Sequence, residues 1–209
     1  MAQRTYGGAT SEERRTRRRS ALTDAALDLV AEVGWERVTV RAVCARARLN
    51  DRYFYESFAD RDALLLATRD GIAEEGLQVL LRAIGSTTPE PDARIRAVVE
   101  AVIDFFVADR RRGALMFEPH EALRGRRQEM LRMLARIVAD QAAVMLGDQA
   151  APEPDRELGA LTLVSGTMEV FASWLRGEVD VTREHLADFL VAMVHTTGDL
   201  ATALRRERG

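Results

Sequence analysis

From Thr16 onward, apolar side chains recur at spacings of three and four, which places Leu22, Ala25, Ala26, Leu29, Val30 and Val33 on one face of a predicted helix. Gly34 stops it, because glycine accepts the backbone turn that ends a helix. Trp35 and Val38 fill a short connector. Thr39 then reads as an N-cap whose hydroxyl accepts a free amide of the next turn. Val40, Val43, Cys44 and Ala47 form a second stripe barely two turns long, and after Arg48 and Leu49 a second capping residue, Asn50, opens a third short helix through Tyr55. Helices this brief bury little alone. Asp60 caps a longer one through Leu64, Leu65, Leu66, Ile72, Leu77 and Leu80 to about Ala83. Its early turns can pack on the small module and its later turns on a larger body, making it a mechanical link.

Gly85 to Pro91 is a turn cluster, followed by an apolar face of Ile95, Val98, Val99, Val102, Ile103 and Phe106. A short helix is expected from Arg112 to Phe117, interrupted by Pro119. A long helix follows from Leu123 to about Leu146, then a loop from Gly147 to Pro154. The last two helices are expected at Asp155 to Arg176 and Thr182 to Arg205, separated by Gly177 to Asp180. Residues 1–13 lack periodicity and read as a mobile arm. With only 5 prolines and no Val/Ile runs bounded by turns, the chain is expected to be all-α, with about nine helices. Two domains are expected, a helix-turn-helix module at 14–67 and a helical body at 68–209.

Charge sharpens this division. The net charge of -3 argues against a phosphate-bearing partner, since neutralising phosphates needs a local cationic excess. Its distribution reverses that reading. Residues 1–60 hold eleven arginines against nine acids, and residues 61–209 hold nineteen against twenty-four. Six arginines and two glutamates occupy the first twenty positions, so a basic front precedes an acidic body. All 30 basic residues are arginine, a pattern that coding bias explains and from which no function is drawn.

The single Cys44 excludes an internal disulfide, no basic n-region precedes an apolar h-region, and no run approaches 18 consecutive apolar residues. A cytoplasmic protein without a membrane segment is expected. Cys44 sits on an apolar stripe and reads as a small buried hydrophobe. His120, His185 and His195 lack the spacing of a helical metal site, and neither a nucleophile elbow nor a phosphate-binding glycine loop occurs. Neither an enzyme, a metal nor a cofactor is therefore expected.

One constellation carries function. Ala25-Ala26-Leu27, Gly34-Trp35, Thr39-Val40-Arg41, Leu49-Asn50, Phe54-Tyr55, Phe58, Asp60-Arg61 and Ala63-Leu64-Leu65 follow one another in an order that resembles the N-terminal module of the tetracycline-repressor (TetR) family. The resemblance implies a ligand-responsive DNA-binding transcriptional regulator, usually a repressor, released from DNA by a hydrophobic small molecule. In such a module the second helix crosses the DNA backbone and the third enters the major groove by its N-terminal residues, here Asn50, Asp51, Arg52 and Tyr53. Arg52 can fork onto guanine and Asn50 can pair an adenine edge. Asp51 either accepts from cytosine or strengthens the helix N-terminus. Thr39, Arg41, Tyr55 and Arg61 are expected phosphate anchors. Arg14, Arg15, Arg17, Arg18 and Arg19 either enter the minor groove or add counterion-releasing charge. The chain departs from the family at Arg48, where glycine is usual and the arginine must either tolerate φ > 0 or force a different turn, and at Asp51, where lysine is frequent.

The resemblance also implies a homodimer on a palindromic operator in double-stranded DNA, joined through the last two helices. Gly159, Gly166 and Ser173 form a small-residue line on the penultimate helix, and Leu186, Leu190, Met193 and Thr197 a stripe on the last, with Leu200 and Leu204 beyond and Phe189, Val194 and Ala201 widening it. Ordinary core packing is the alternative for these faces. A pocket for a small hydrophobic effector is expected among Phe105, Phe106, Met116, Phe117, Met130, Met133, Leu134, Met168, Phe171 and Trp174, residues that equally suit a packed core. Glu118, His120 and Glu121 supply polar contacts to it or form a surface loop. A helical partner-binding protein and a ligand-independent DNA-binding protein are the other readings.

Overall fold

A reciprocal capping box starts the first helix. The Thr10 hydroxyl accepts from the Glu13 amide at 3.1 Å, while the Glu13 carboxylate accepts from the Thr10 amide at 2.8 Å, the arrangement that T-x-x-E sequences favour. Helix α1 therefore runs Ser11–Val33, beginning before the expected Thr16 and taking in residues 11–13 of the expected arm. The structure, a computed structural model, describes residues 10–85, 90–198 and 203–204, and the side chains of Gln149 and Thr197 lie outside that description. The front of the expected arm, residues 1–9, lies outside it too.

Local caps continue through the N-terminal part. α1 ends at Gly34, φ 75°, and a single 3-10 turn buries Trp35 before the equally buried Val38. Helix α2, Val40–Ala47, begins where the Thr39 hydroxyl accepts from the Ala42 amide at 3.1 Å. Helix α3, Asp51–Tyr55, begins where the Asn50 side-chain oxygen accepts from the Tyr53 amide. Asp60 does the same for the Ala63 amide at 2.7 Å, opening helix α4, Arg61–Ile84. Leu22, Ala26, Val30, Val43, Phe54, Leu64 and Leu65 are buried, so the stripes read from the sequence face inward apart from Val33 at the end of α1, which is exposed.

Among the described residues five further helices follow: α5 Pro91–Ala108, α6 Arg110–Met116, α7 Arg124–Leu146, α8 Glu153–Leu175 and α9 Arg183–Gly198. Pro91 is the first residue of α5 rather than the end of a loop, and α8 takes in Pro154 in its first turn. Both placements suit proline, whose missing amide is not needed there. Leu200 and Ala201 of the expected last stripe lie outside the described residues.

The described chain divides into two compact units, one of Met1–Ala73 with Ala114–Glu118, the other of Glu74–Gly113 with Pro119–Gly209. The boundary falls within α4, and the mid-chain segment that groups with the first unit includes the buried Leu115 and Met116. In the second unit α7 and α8 pack through Ala135, Ala139, Ala160 and Val164, small side chains that let two helices approach closely. α5 is tied to α9 by Arg96 to Asp188 at 2.8 Å and Arg183 to Asp104 at 2.9 Å. At Gly113 α6 runs close to Leu175, whose Cδ1 would lie 2.8 Å from an added Cβ, so a larger residue there would have to displace that side-chain tip.

Among the described helices α8 alone has the length and mean hydropathy of a membrane span, 1.3 over an 18-residue window. Counting consecutive apolar residues misses it, because Thr162, Ser165, Gly166 and Thr167 interrupt the run.

Candidate nucleic-acid interface

The turn between α2 and α3 sets how α3 is presented. Arg48 adopts φ 56°, ψ 40°, the left-handed conformation that costs a side-chain-bearing residue about 1 kcal/mol or more. The turn is held by the Leu49 amide donating to the Cys44 carbonyl at 2.9 Å. Of the two outcomes open at this position, Arg48 tolerates φ > 0 rather than forcing a different turn. Phe54 is fully buried and meets the Tyr55 and Phe58 rings at 5.3 and 5.9 Å, which anchors one side of α3 and leaves the other outward.

On that outward side Asn50, Asp51 and Arg52 are exposed, as are Thr39 and Arg41 on the neighbouring α2. The Arg52 side chain is 82% exposed, with its Nε donating to Glu56 at 2.9 Å. Tyr55 is 61% exposed, while Tyr53 is half-buried under the Arg18 guanidinium, 4.5 Å above its ring. The Asp51 carboxylate lies against the Cys44 thiol, and burial together with this neighbour pushes that thiol up to about 11. Cys44 is thereby held as the neutral, unreactive form.

Arg61 is turned inward. Its Nη1 donates to the Val38 carbonyl at 2.7 Å and its guanidinium lies 5.2 Å from the Trp35 ring centre, so it closes the module as well as bordering it. The arginines of α1 also have partners in the module. Arg19 donates to the Ser57 carbonyl at 2.7 Å, Arg15 to the Glu56 carbonyl at 3.5 Å, and Arg18 lies 3.8 Å from the Glu56 carboxylate.

Sequence reasoning passed over Arg46, which forks onto Glu32 at 2.6 and 2.8 Å and reaches Asp28 at 3.3 Å. Its guanidinium holds the Glu32 carboxyl below the usual range, and it ties α2 to α1. Sequence reasoning also missed Arg69, which is buried with Asp70 at 3.8 Å. The i, i+4 spacing of Asp28 and Glu32 on one face was the available signal for the first; the second sits in an apolar run with none.

The residues expected to line an effector pocket are not all brought together. Phe105, Phe106, Phe171 and Trp174 form a continuous aromatic chain, with successive ring centres 5.1, 5.3 and 5.9 Å apart, and Trp174 Nε1 donates to the Val181 carbonyl at 2.9 Å. Leu134 and Met168 pack on the α7–α8 core and Met130 is half-buried. Met133 is exposed instead, lining an open groove of about 460 Å³ with Glu129, Arg132, Arg136, Ile137 and Asp140. Met116 and Phe117 group with the first unit. His120 has a local task, its Nδ1 accepting from the Ala122 amide.

The expected dimer stripes are likewise divided. Leu186, Leu190 and Gly159 are buried within the second unit, Ser173 is half-buried, and Gly166 has open space before it. The exposed apolar side chains of α8 and α9 are Leu158 at 63%, Leu161, Phe189 at 46% and Met193 at 37%.

Comparison with known proteins places this geometry. The sequence profile described as "Bacterial regulatory proteins, tetR family" matches residues 22–68, which spans α2, α3 and their surroundings. The HTH-type transcriptional regulator BetI of Burkholderia mallei is 33% identical over 87 residues, 42% of this chain and 45% of that protein; the chain thus spans less than half the length of the curated relatives it matches. A putative transcriptional regulator from Pseudomonas aeruginosa PAO1 superposes with a TM-score of 0.75 at 20% identity, covering 94% of this chain and 99% of that one. A TetR-like transcriptional regulator from Rhodococcus sp. RHA1 gives 0.68 at 22% identity, covering 85% and 93%. Residues 22–68 thus carry the helix-turn-helix module of the tetR-family regulatory proteins, and the all-helical fold is shared with these solved structures along nearly the whole chain.

Proposed function

We propose that this chain is a ligand-responsive transcriptional regulator, a repressor that binds a palindromic operator as a dimer and is released by a small hydrophobic effector. The observation that carries the reading is the outward presentation of Asn50 to Arg52 on a short helix whose other side is buried through Phe54. Arg52, exposed along most of its length, forks onto guanine O6 and N7. Asn50 accepts from the Tyr53 amide through its oxygen, which leaves its amide group to donate. Asp51, set against Cys44, acts on the helix N-terminus rather than on cytosine. Thr39, Arg41 and Tyr55 anchor phosphates, with Arg61 at their edge.

Dimerisation is supported by the exposed Leu158, Leu161, Phe189 and Met193. Apolar side chains gathered on two neighbouring helices favour a covering partner over water, and a twofold operator needs two recognition helices about 34 Å apart. The aromatic chain from Phe105 to Trp174 supports a hydrophobic effector, which enters by separating rings that otherwise pack on one another. Effector and operator then weaken each other by the same factor at equilibrium.

The test uses the purified full chain and a duplex that it selects from a randomised pool. The wild type is expected to bind the selected duplex far more tightly than an unselected one and with a steep salt dependence. Arg52→Ala is expected to lose that preference by about tenfold or more, while Arg41→Ala weakens both duplexes alike. Equal binding of selected and unselected DNA by the wild type would end the reading.

A further inference from the structure

Helix α3 has five residues, Asp51–Tyr55. So short a helix cannot fix its own direction, because its few internal hydrogen bonds barely outweigh the entropy of forming them. Its orientation has to come from elsewhere. Part of it comes from Phe54, which is buried. The rest comes from the first turns of α1, at positions separated from α3 by nearly forty residues of chain.

Arg15, Arg18 and Arg19 share one face of α1 by their i, i+3, i+4 spacing. Each meets the region of α3 in a different way. Arg19 Nη1 donates to the Ser57 carbonyl at 2.7 Å while its guanidinium lies 4.2 Å above the Phe58 ring, so both its hydrogen bonding and its flat face are engaged by the turn that ends α3. Arg18 covers the Tyr53 ring and lies 3.8 Å from the Glu56 carboxylate. That carboxylate also accepts from Arg52 Nε at 2.9 Å. A chain of contacts therefore runs from α1 through Glu56 to the side chain placed to read guanine.

We propose that Arg18 and Arg19 are positioning residues for operator recognition, which aim α3 and the Arg52 side chain, rather than ligands of the DNA phosphates. This rests on the operator reading given above. Arg19, with Nη1 on the Ser57 carbonyl and its plane on the Phe58 ring, and Arg18, with its plane on the Tyr53 ring beside the Glu56 carboxylate, are both engaged by the module. Without them, a helix this short turns relative to α1, and base contacts that need alignment within a fraction of an ångström are lost first. Phosphate attraction is not directional in that way and survives.

The experiment compares the full-length wild type, Arg19→Ala, Arg19→Lys and Arg18→Ala on the selected and unselected duplexes over a range of salt concentrations, with thermal melting of each protein alongside. Arg19→Ala and Arg18→Ala are each expected to weaken the selected duplex about tenfold, the worth of one lost base contact. Binding to the unselected duplex and the slope of log affinity against log salt should stay as in the wild type. Arg19→Lys keeps the charge but has neither the fork nor the flat face, and it is expected to resemble Arg19→Ala on the selected duplex. It also decides the matter should Arg19→Ala not fold.

A salt slope shallower by about one, with both duplexes weakened alike, would make these arginines phosphate ligands and overturn the proposal. So would full recovery by Arg19→Lys, or unchanged binding in every variant. A wild type that prefers no sequence removes the operator reading itself and is recognised before any variant is measured.

Discussion

The two units of this chain are stabilised by different means. In the first, helix starts are set by side-chain caps: Glu13 with Thr10, Thr39 before α2, Asn50 before α3 and Asp60 before α4. In the second, α5, α7 and α8 begin with no side-chain cap, while α6 and α9 start with Asp109 and Thr182 accepting first-turn amides. Those longer helices are held by what they touch, such as the alanines between α7 and α8, the chain of aromatic rings, and the ion pairs from α5 to α9. The short α2 and α3 need local signals because they bury little; α1 and α4 are as long as α7 and α8 and are capped all the same, so the contrast belongs to the unit rather than to helix length. A module that must present α3 in one orientation is built from close-range instructions, whereas a body proposed to admit an effector is built from packing that can rearrange.

Four changes would break or sharpen this contrast. The largest effect is expected from Phe171→Ala, which removes a fully buried ring between Phe106 and Trp174 and should cost about 3–5 kcal/mol, read as a lowered thermal midpoint with a changed Trp174 signal. A loss under about 1 kcal/mol would mean that the aromatic chain is already loosely packed.

Next is Thr39→Ala, expected to destabilise the first unit by about 1 kcal/mol. Cys44 provides a local readout, since the sole cysteine is buried with its thiol held neutral at pH 8. Alkylation of Cys44 should be slow in the native protein and faster in Thr39→Ala, while the Trp174 environment is unchanged. If the two readouts moved together, the units would not be separately specified.

Arg48→Gly relieves the left-handed backbone after α2 and is expected to raise stability by up to about 1 kcal/mol, measured by denaturant unfolding. A decrease would show that the Arg48 side chain contributes more than its backbone strain takes away.

The smallest effect is expected at the start of α6, where Asp109 accepts from the Arg111 amide at 3.1 Å and from its Nε and Nη2 at 2.9 and 2.7 Å. The Arg111 guanidinium holds the Asp109 carboxyl below its usual 3.8. Its contribution is therefore full above the unfolded-state value and fades as pH falls through the lower native one. Asp109→Asn should cost about 0.5 kcal/mol at neutral pH and nothing in strong acid. An equal cost at both would assign the effect to packing.

Much of the first unit was legible in the chain because its determinants lie within a few residues of one another. The Gly34 stop and the Thr39, Asn50 and Asp60 starts all follow from local chemistry, whereas the structure decided that Arg48 takes the left-handed shape rather than forcing a different turn. The start of α1 was equally local, a Thr10-to-Glu13 box, but the glycine-rich stretch before it read as an arm. In the second unit the helices were legible and their neighbours were not. Leu186 and Leu190 share a stripe with Met193, yet the first two are buried and Met193 is exposed, since periodicity marks a face without saying what covers it. The pocket residues divided for the same reason, with Met133 outward and Met116 and Phe117 grouped with the first unit.

By itself, the sequence determined where most helices start and stop, the order of the helix-turn-helix residues, and the basic front on an acidic body. Those features depend on hydrogen bonds and spacings a turn or two long. Only the tertiary structure decided that Arg15, Arg18 and Arg19 attend the end of α3, that Arg61 closes onto Val38, that Arg69 is buried, and that Ala114–Glu118 joins the first unit. The contacts of Arg15, Arg18, Arg19 and Arg61 join positions far apart in the chain, and they, like the burial of Arg69, depend on which surfaces meet once all the helices have packed.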